Sequence, residues 1–193
     1  MGIEPLHTHA EHNLRFIREK MEHATSFTAV PGWGGVLMGV IGLAAAVIGS
    51  LQPTPARWMA TWVVAAAVAV LVGGWAMDRK TRASGAQLFG GKSRKFILSL
   101  SPPLLSGAAL TWVLYQGGLV GAIPGVWLLM YGTAAVTGGA FSIRIVPIIG
   151  LCFMILGGVT LLLPAAWGNW MLAIGFGGVQ LVFGLIIVRK YGG

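Results

Sequence analysis

The residues best equipped for chemistry lie at the front of the chain. All four histidines, His7, His9, His12 and His23, and four of the five acids, Glu4, Glu11, Glu19 and Glu22, fall within residues 1–29. At helical spacing Leu14, Ile17, Met21 and Ala24 make one apolar stripe, and His12, Glu19 and His23 stand on the opposite face. Glu19 and His23 are four residues apart, the separation at which a helix offers two ligands to one metal ion, and His12 is the third candidate. His12, however, is about 10 Å along the axis from Glu19 at the rise of an α-helix, too far for both to bind one ion on one rigid helix. A solvated face opposite an apolar stripe is the plainer reading. The expectation is therefore no metal site, and a short amphipathic helix, Glu11–Ala24, lying on the membrane surface or against a partner. Residues 1–29 carry three bases and four acids, and residues 78–95 carry six bases and one acid, so the two segments attract. Protonation of the histidines at about pH 6 would reverse the sign of the tail's charge and weaken that attraction.

Beyond the tail the chemistry thins out. Catalysis within a membrane needs a placed carboxylate pair, a metal site or a nucleophile with its base. The apolar runs that follow contain no Asp, Glu, Lys, Arg or His. No catalytic residue, cofactor site or enzymatic activity is expected. Asp78, the one acid after the tail, stands beside Arg79 at the end of a run and reads as an end-of-helix ion pair. Cys152, the single cysteine, sits in an apolar run and reads as a small buried side chain. Gln180 is the most polar side chain of the last run. An amide in hydrocarbon needs partners, so it reads either as an interhelical hydrogen bond, with Thr61, Thr133, Thr137 or Thr160, or as the polar lining of a path for a small neutral solute.

The elements that would position these groups follow from composition. The chain has 193 residues, 56% hydrophobic and 9% charged, with a mean hydropathy of +0.81. A water-soluble domain needs more charge than this on its surface, so lipid is the expected solvent. The net charge of +8 is not a nucleic-acid signal, because the basic residues sit in short clusters between apolar runs. Six runs reach the length of about 20 residues that a bilayer core demands: Val30–Leu51, Trp58–Met77, Phe96–Gln116, Leu119–Thr137, Ile145–Leu163 and Trp170–Val188. Pro102-Pro103 should break or displace the first turn of the third, leaving Phe96–Ser101 in the interface and the embedded part starting near Leu104. Twelve of the thirteen Lys and Arg residues fall on one side of these spans and only Arg57 on the other, which predicts both termini in the cytoplasm.

The far-side links are short: 52–57, 117–118 and 164–169. They predict three antiparallel hairpins. The first and third hairpins share an opening Val-Pro (Val30-Pro31, Val146-Pro147), an outer proline (Pro53, Pro164), a Trp-Met that begins the return (Trp58-Met59, Trp170-Met171) and a closing Arg-Lys (Arg79-Lys80, Arg189-Lys190). Two-helix repeats re-enter in the same sense, so the symmetry predicted is a pseudo-threefold about the membrane normal. Gly35-x-x-x-Gly39 and the overlapping Gly117, Gly121 and Gly125 have the spacing of close helix approach.

The fold class expected is an all-α polytopic bundle, with residues 1–29 a cytoplasmic tail and 30–193 the six-helix domain. The Gly-rich helix, outer Pro and Trp turn and second Gly-rich helix of Gly150–Gly184, echoed in Gly35–Trp75, resemble the HdeD-like bacterial inner-membrane proteins. That resemblance implies six helices, no established catalytic activity and a role in acid-stress resistance. The function expected is a non-enzymatic one in stress response or assembly through helix and lipid contacts, with a channel or carrier for a small uncharged solute as the alternative. The expected partners are membrane lipids, with a protein partner or a homo-oligomer as further alternatives and no nucleic acid.

Overall fold

The computed structural model describes residues 30–83 and 91–191. The tail, and with it His12, Glu19 and His23, lies outside the described residues. Among the described residues six helices are long and apolar enough to cross a membrane and no strand is present, the architecture of a multi-pass membrane protein. We label them α1 (Gly32–Ser50), α2 (Pro55–Ala83), α3 (Gly91–Gln116), α4 (Ile123–Gly139), α5 (Ile145–Leu162) and α6 (Ala165–Tyr191).

The helices alternate in direction, which gathers Arg79, Lys80, Arg82, Arg144, Arg189 and Lys190 at one end of the bundle, the basic end. There Lys80 Nζ donates to the carbonyls of Val30 (3.1 Å) and Tyr191 (3.3 Å), joining the ends of α1, α2 and α6. Asp78 pairs with Arg82 at 2.8 Å, one turn on, rather than with Arg79, whose guanidinium lies 5.5 Å from the centre of the Trp75 ring. Adjacent side chains on a helix diverge, whereas those four apart share a face. At 29 residues α2 is about 43 Å long, more than a bilayer core of about 30 Å requires, so its basic turns extend past the apolar window.

The short links do not make every consecutive pair the closest pair. α1 packs along α2, and α3 along α4. α5 packs chiefly on α4, however, and α6 chiefly on α1, the two meeting mainly over the first half of α6. Glycine decides this. A methyl group on Gly132 would stand 2.6 Å from the Gly150 carbonyl oxygen, and one on Gly184 would stand 2.6 Å from the Val36 backbone nitrogen. Lipid tails are as apolar as leucine, so helices in a bilayer associate by close packing of this kind rather than by escape from water. Of the predicted GxxxG positions, Gly35 meets Gly184 and Gly39 meets Leu181. Gly125 faces Leu161, Gly121 faces Ala165, and Gly117 lies in the link after α3. In that link Gly118 takes φ of +72°, a conformation open to glycine but costly for residues with a Cβ.

α3 departs from expectation. Pro102 and Pro103 lie inside a helix that runs unbroken from Gly91, and Phe96 is buried against Val30, Met77, Ile97 and Leu100. Each proline deprives the carbonyl four residues back of its donor, here Leu98 and Ser99. Ser101 Oγ donates to the Leu98 carbonyl at 3.3 Å, and Thr137 Oγ1 of α4 lies 2.8 Å from that of Ser99, nearer than the 3.0 and 3.1 Å to the Thr133 and Ala134 carbonyls of its own helix. With both carbonyls partnered the helix continues through the prolines. Thr137→Val should therefore lower stability by about 1 kcal/mol. Thr133→Val, which removes only a bond back to the Leu129 carbonyl at 2.9 Å, should change it by less than half as much. Thermal unfolding of the two variants in detergent checks this, and equal effects would refute the proline account.

Candidate functional site

Three helices present aromatic or polar residues four apart, and these pairs converge between the end opposite the basic one and the middle of the bundle. α2 supplies Trp58 and Trp62, α4 supplies Trp127 and Tyr131, and α6 supplies Phe176 and Gln180. Four residues make just over one turn, so each pair shares a face. Trp58 stacks on Trp127 with centroids 5.7 Å apart and planes 7° from parallel, and Trp62 packs against Trp127 and Phe176. Tyr131, Phe153 and Phe176 meet pairwise at 4.7 to 5.3 Å. Phe176 sits within a π-helical stretch of α6, Ala173–Val179, which ends just before Gln180. The wider π turn displaces side chains from α-helical register, and such turns recur at functional sites.

Behind this cluster lies a chamber of about 450 Å³. α1 contributes Met38 and Ile41 to its wall, and α2 contributes Trp62, Ala66, Ala69 and Val70. Leu104, Ala108 and Thr111 come from α3, and α4 and α6 add Trp127, Met130, Tyr131, Phe176 and Gln180. Among the described residues α2 and α3 face each other across it without packing along their length. Toward the basic end Phe96 packs against Met77, and toward the opposite end Trp58 stacks on Trp127. Between these contacts the lining residues Val63, Val70 and Leu104 of α2 and α3 are exposed, which places the chamber's sideways mouth where these two helices face each other.

Most polar atoms around the chamber are already committed. Trp127 Nε1 donates to Thr111 Oγ1 at 2.7 Å, and that hydroxyl donates to the Gly107 carbonyl, also at 2.7 Å. Trp58 Nε1 and Trp62 Nε1 both donate to Asn169 Oδ1 at 3.1 Å, while Asn169 Nδ2 donates to the Ala46 carbonyl at 2.8 Å. Asn169 thus joins α1, α2 and α6 through one amide.

Gln180 accepts from Tyr131 Oη at 3.4 Å. Its partner is none of the threonines predicted. Thr61, Thr133 and Thr160 spend their hydroxyls on the carbonyl four residues back in their own helix, and Thr137 spends its own on Ser99. Gln180 does form an interhelical contact, and it also lines the chamber.

Compared with protein-family models, with curated proteins and with solved structures, the chain matches none. The reading of the site therefore rests on its own chemistry.

Among the described residues no three of His, Cys, Asp and Glu come together. Cys152 is a half-buried free thiol on α5, away from the chamber wall. The chamber carries no charged side chain, so what it can do is hold an apolar molecule. Trp58, Trp62, Trp127, Tyr131 and Asn169 were not singled out as site residues in the sequence. The available signal was the i, i+4 recurrence of an aromatic partner in three separate spans.

Proposed function

We propose that this chain is a non-enzymatic, multi-pass protein of the bacterial inner membrane that holds an apolar, membrane-derived molecule in the chamber between α2 and α3. The observation that carries this reading is the sideways mouth. A chamber in the apolar depth of the bundle, rimmed by Val63, Val70 and Leu104 and flanked at both ends by aromatic contacts, is reached from lipid more readily than from water. At about 30 Å³ per non-hydrogen atom, the share of a liquid water, 450 Å³ holds on the order of fifteen such atoms, the scale of one hydrocarbon tail. Protein purified from native membrane should retain a single-tailed lipophile detectable by mass spectrometry of the extract. Ala69→Phe, which fills the chamber, should lose it. An identical extract from the variant would refute the reading.

A channel or carrier for a small uncharged solute is the second reading, favoured by Gln180 and Tyr131 on the chamber wall. Passage would need a wet route to both ends, and solute flux into proteoliposomes measures it directly.

The orientation goes with the proposal: both termini and the 78–95 connection face the cytoplasm, on the strength of the twelve-to-one split of basic residues. A cysteine at Ser93 in a Cys152→Ala background should resist an impermeant thiol reagent in intact spheroplasts, and labelling there would reverse the topology. The sequence likeness of the first and third hairpins supports a repeat about the membrane normal. The HdeD-like rhythm of Gly150–Gly184 supports a place in the envelope stress response.

A further inference from the structure

Resting on the lipophile-binding reading, we infer that the occupant carries one hydrogen-bond-accepting oxygen, a carbonyl or its equivalent, and that Gln180 is the residue that selects it. Around the chamber the polar side chains divide sharply. Thr111, Trp62 and Trp127 have their donors committed to protein acceptors at 2.7 to 3.1 Å. Gln180 uses its carbonyl oxygen to accept from Tyr131, and its amide nitrogen has no protein acceptor among the described residues. That nitrogen is not a sealed, unpartnered group either, since no fully buried side-chain nitrogen or oxygen among the described residues lacks a partner. The amide nitrogen therefore reaches accessible space, and the space that Gln180 lines is the chamber.

Two N–H donors facing an apolar wall are costly to leave unpaired. A ligand made only of hydrocarbon would leave that cost in place, whereas one with an acceptor oxygen at this depth removes it. A site built to hydrogen-bond a group discriminates against the analogue that lacks it more strongly than an apolar pocket discriminates by shape. A charged headgroup is excluded by the same wall, which offers no opposite charge. The ligand class is thus a neutral, single-tailed molecule with an oxygen function at one end. Tyr131 orients the amide, because its hydroxyl holds the Gln180 oxygen and turns the nitrogen away from itself.

The test uses full-length protein in lipid nanodiscs and two photo-crosslinking probes of equal chain length, a diazirine-bearing alkane and the corresponding methyl ketone. Labelled peptides are mapped by mass spectrometry. Wild-type protein should be labelled on the chamber faces of α2 and α3 by both probes, with the ketone favoured roughly three- to tenfold, as one net hydrogen bond allows. Gln180→Leu should abolish the preference and keep the alkane labelling, which also shows that the variant is folded. Tyr131→Phe should reduce the preference partway. Equal labelling of wild-type chamber residues by the two probes would overturn the role of Gln180 and leave the chamber reading standing. Chamber labelling by neither probe would overturn the chamber reading itself. The wild-type comparison decides even if a variant fails to fold.

Discussion

Gly132→Val should abolish accumulation of folded protein, and even Gly132→Ala should lower stability by about 3 kcal/mol. A Cβ at this position would lie 2.6 Å from the Gly150 carbonyl oxygen and 2.7 Å from both the backbone nitrogen and Cγ of Met154. Two of those three atoms are main chain of α5 and cannot turn aside as a side-chain end would. The helices would have to separate along the most extensive packed pair in the bundle. Overpacking of a tight core typically costs about 1–3 kcal/mol where side chains can adjust, and a backbone obstacle puts this site at or beyond the upper end. In a bilayer no hydrophobic gain compensates, because a separated pair merely admits lipid. Gly158 provides the control. It lies on the same α5, next to Gly157, but a methyl group there would meet nothing within 4 Å. Gly158→Ala should change stability by no more than about 0.5 kcal/mol, as surface substitutions do. Thermal unfolding in detergent, read beside the yield of monodisperse protein, separates the two. Comparable behaviour of Gly132→Ala and Gly158→Ala would show that the α4–α5 approach is not the source of stability claimed for it.

Asn169→Leu should have the second largest effect, about 2 kcal/mol. The amide oxygen accepts from Trp58 and Trp62, each at 3.1 Å, and the amide nitrogen reaches the Ala46 carbonyl at 2.8 Å. Leucine keeps the bulk and loses all three bonds. Trp62 is only 4% exposed, so its indole N–H has no water to turn to. Leaving one buried donor unpaired costs about 1–3 kcal/mol in general, and interhelical bonds within membranes contribute at most about 1.7 kcal/mol each by double-mutant cycles. Trp62→Phe in the Asn169→Leu background should recover part of the loss, since it removes the orphaned donor while keeping an aromatic ring. The emission of Trp58 and Trp62 should also shift, because the stack on Trp127 depends on the same anchor. A variant that unfolds at the wild-type temperature would mean that the three bonds are replaced from elsewhere and that Asn169 does not brace this end of the chamber.

Six spans could be read from the sequence because a helix of about 20 apolar residues is the only single-chain segment that satisfies its own backbone in hydrocarbon. Their starts and ends shifted where hydrogen bonding continues past the lipid boundary, as in the basic turns of α2 and the opening turns of α6. Gln180 could be read as a polar group requiring a partner. Which partner could not, because the threonines of the spans satisfy themselves within or alongside their own helices, and Tyr131 reaches Gln180 only through the packing of α4 against α6.

Pro102-Pro103 shows the same division. Local rules name the carbonyls that lose their donors, Leu98 and Ser99, but whether the helix breaks depends on a hydroxyl 38 residues further along, Thr137. Glycine spacing marks faces able to approach closely without naming the face that meets them. Gly132 finds Gly150, and Gly35 finds Gly184, across separations that no short-range pattern encodes. Composition and charge order therefore determined by themselves that the chain crosses a membrane in helices with its basic residues gathered at one end. Their origin is the transfer of groups between water and lipid, a property each segment carries alone. The pairing of α5 with α4 and of α6 with α1, the Trp58–Trp62–Asn169 brace and the chamber left between α2 and α3 were decided only in the folded bundle. Van der Waals contact and hydrogen bonding act between particular atoms of distant segments, and they exist only once those segments have met.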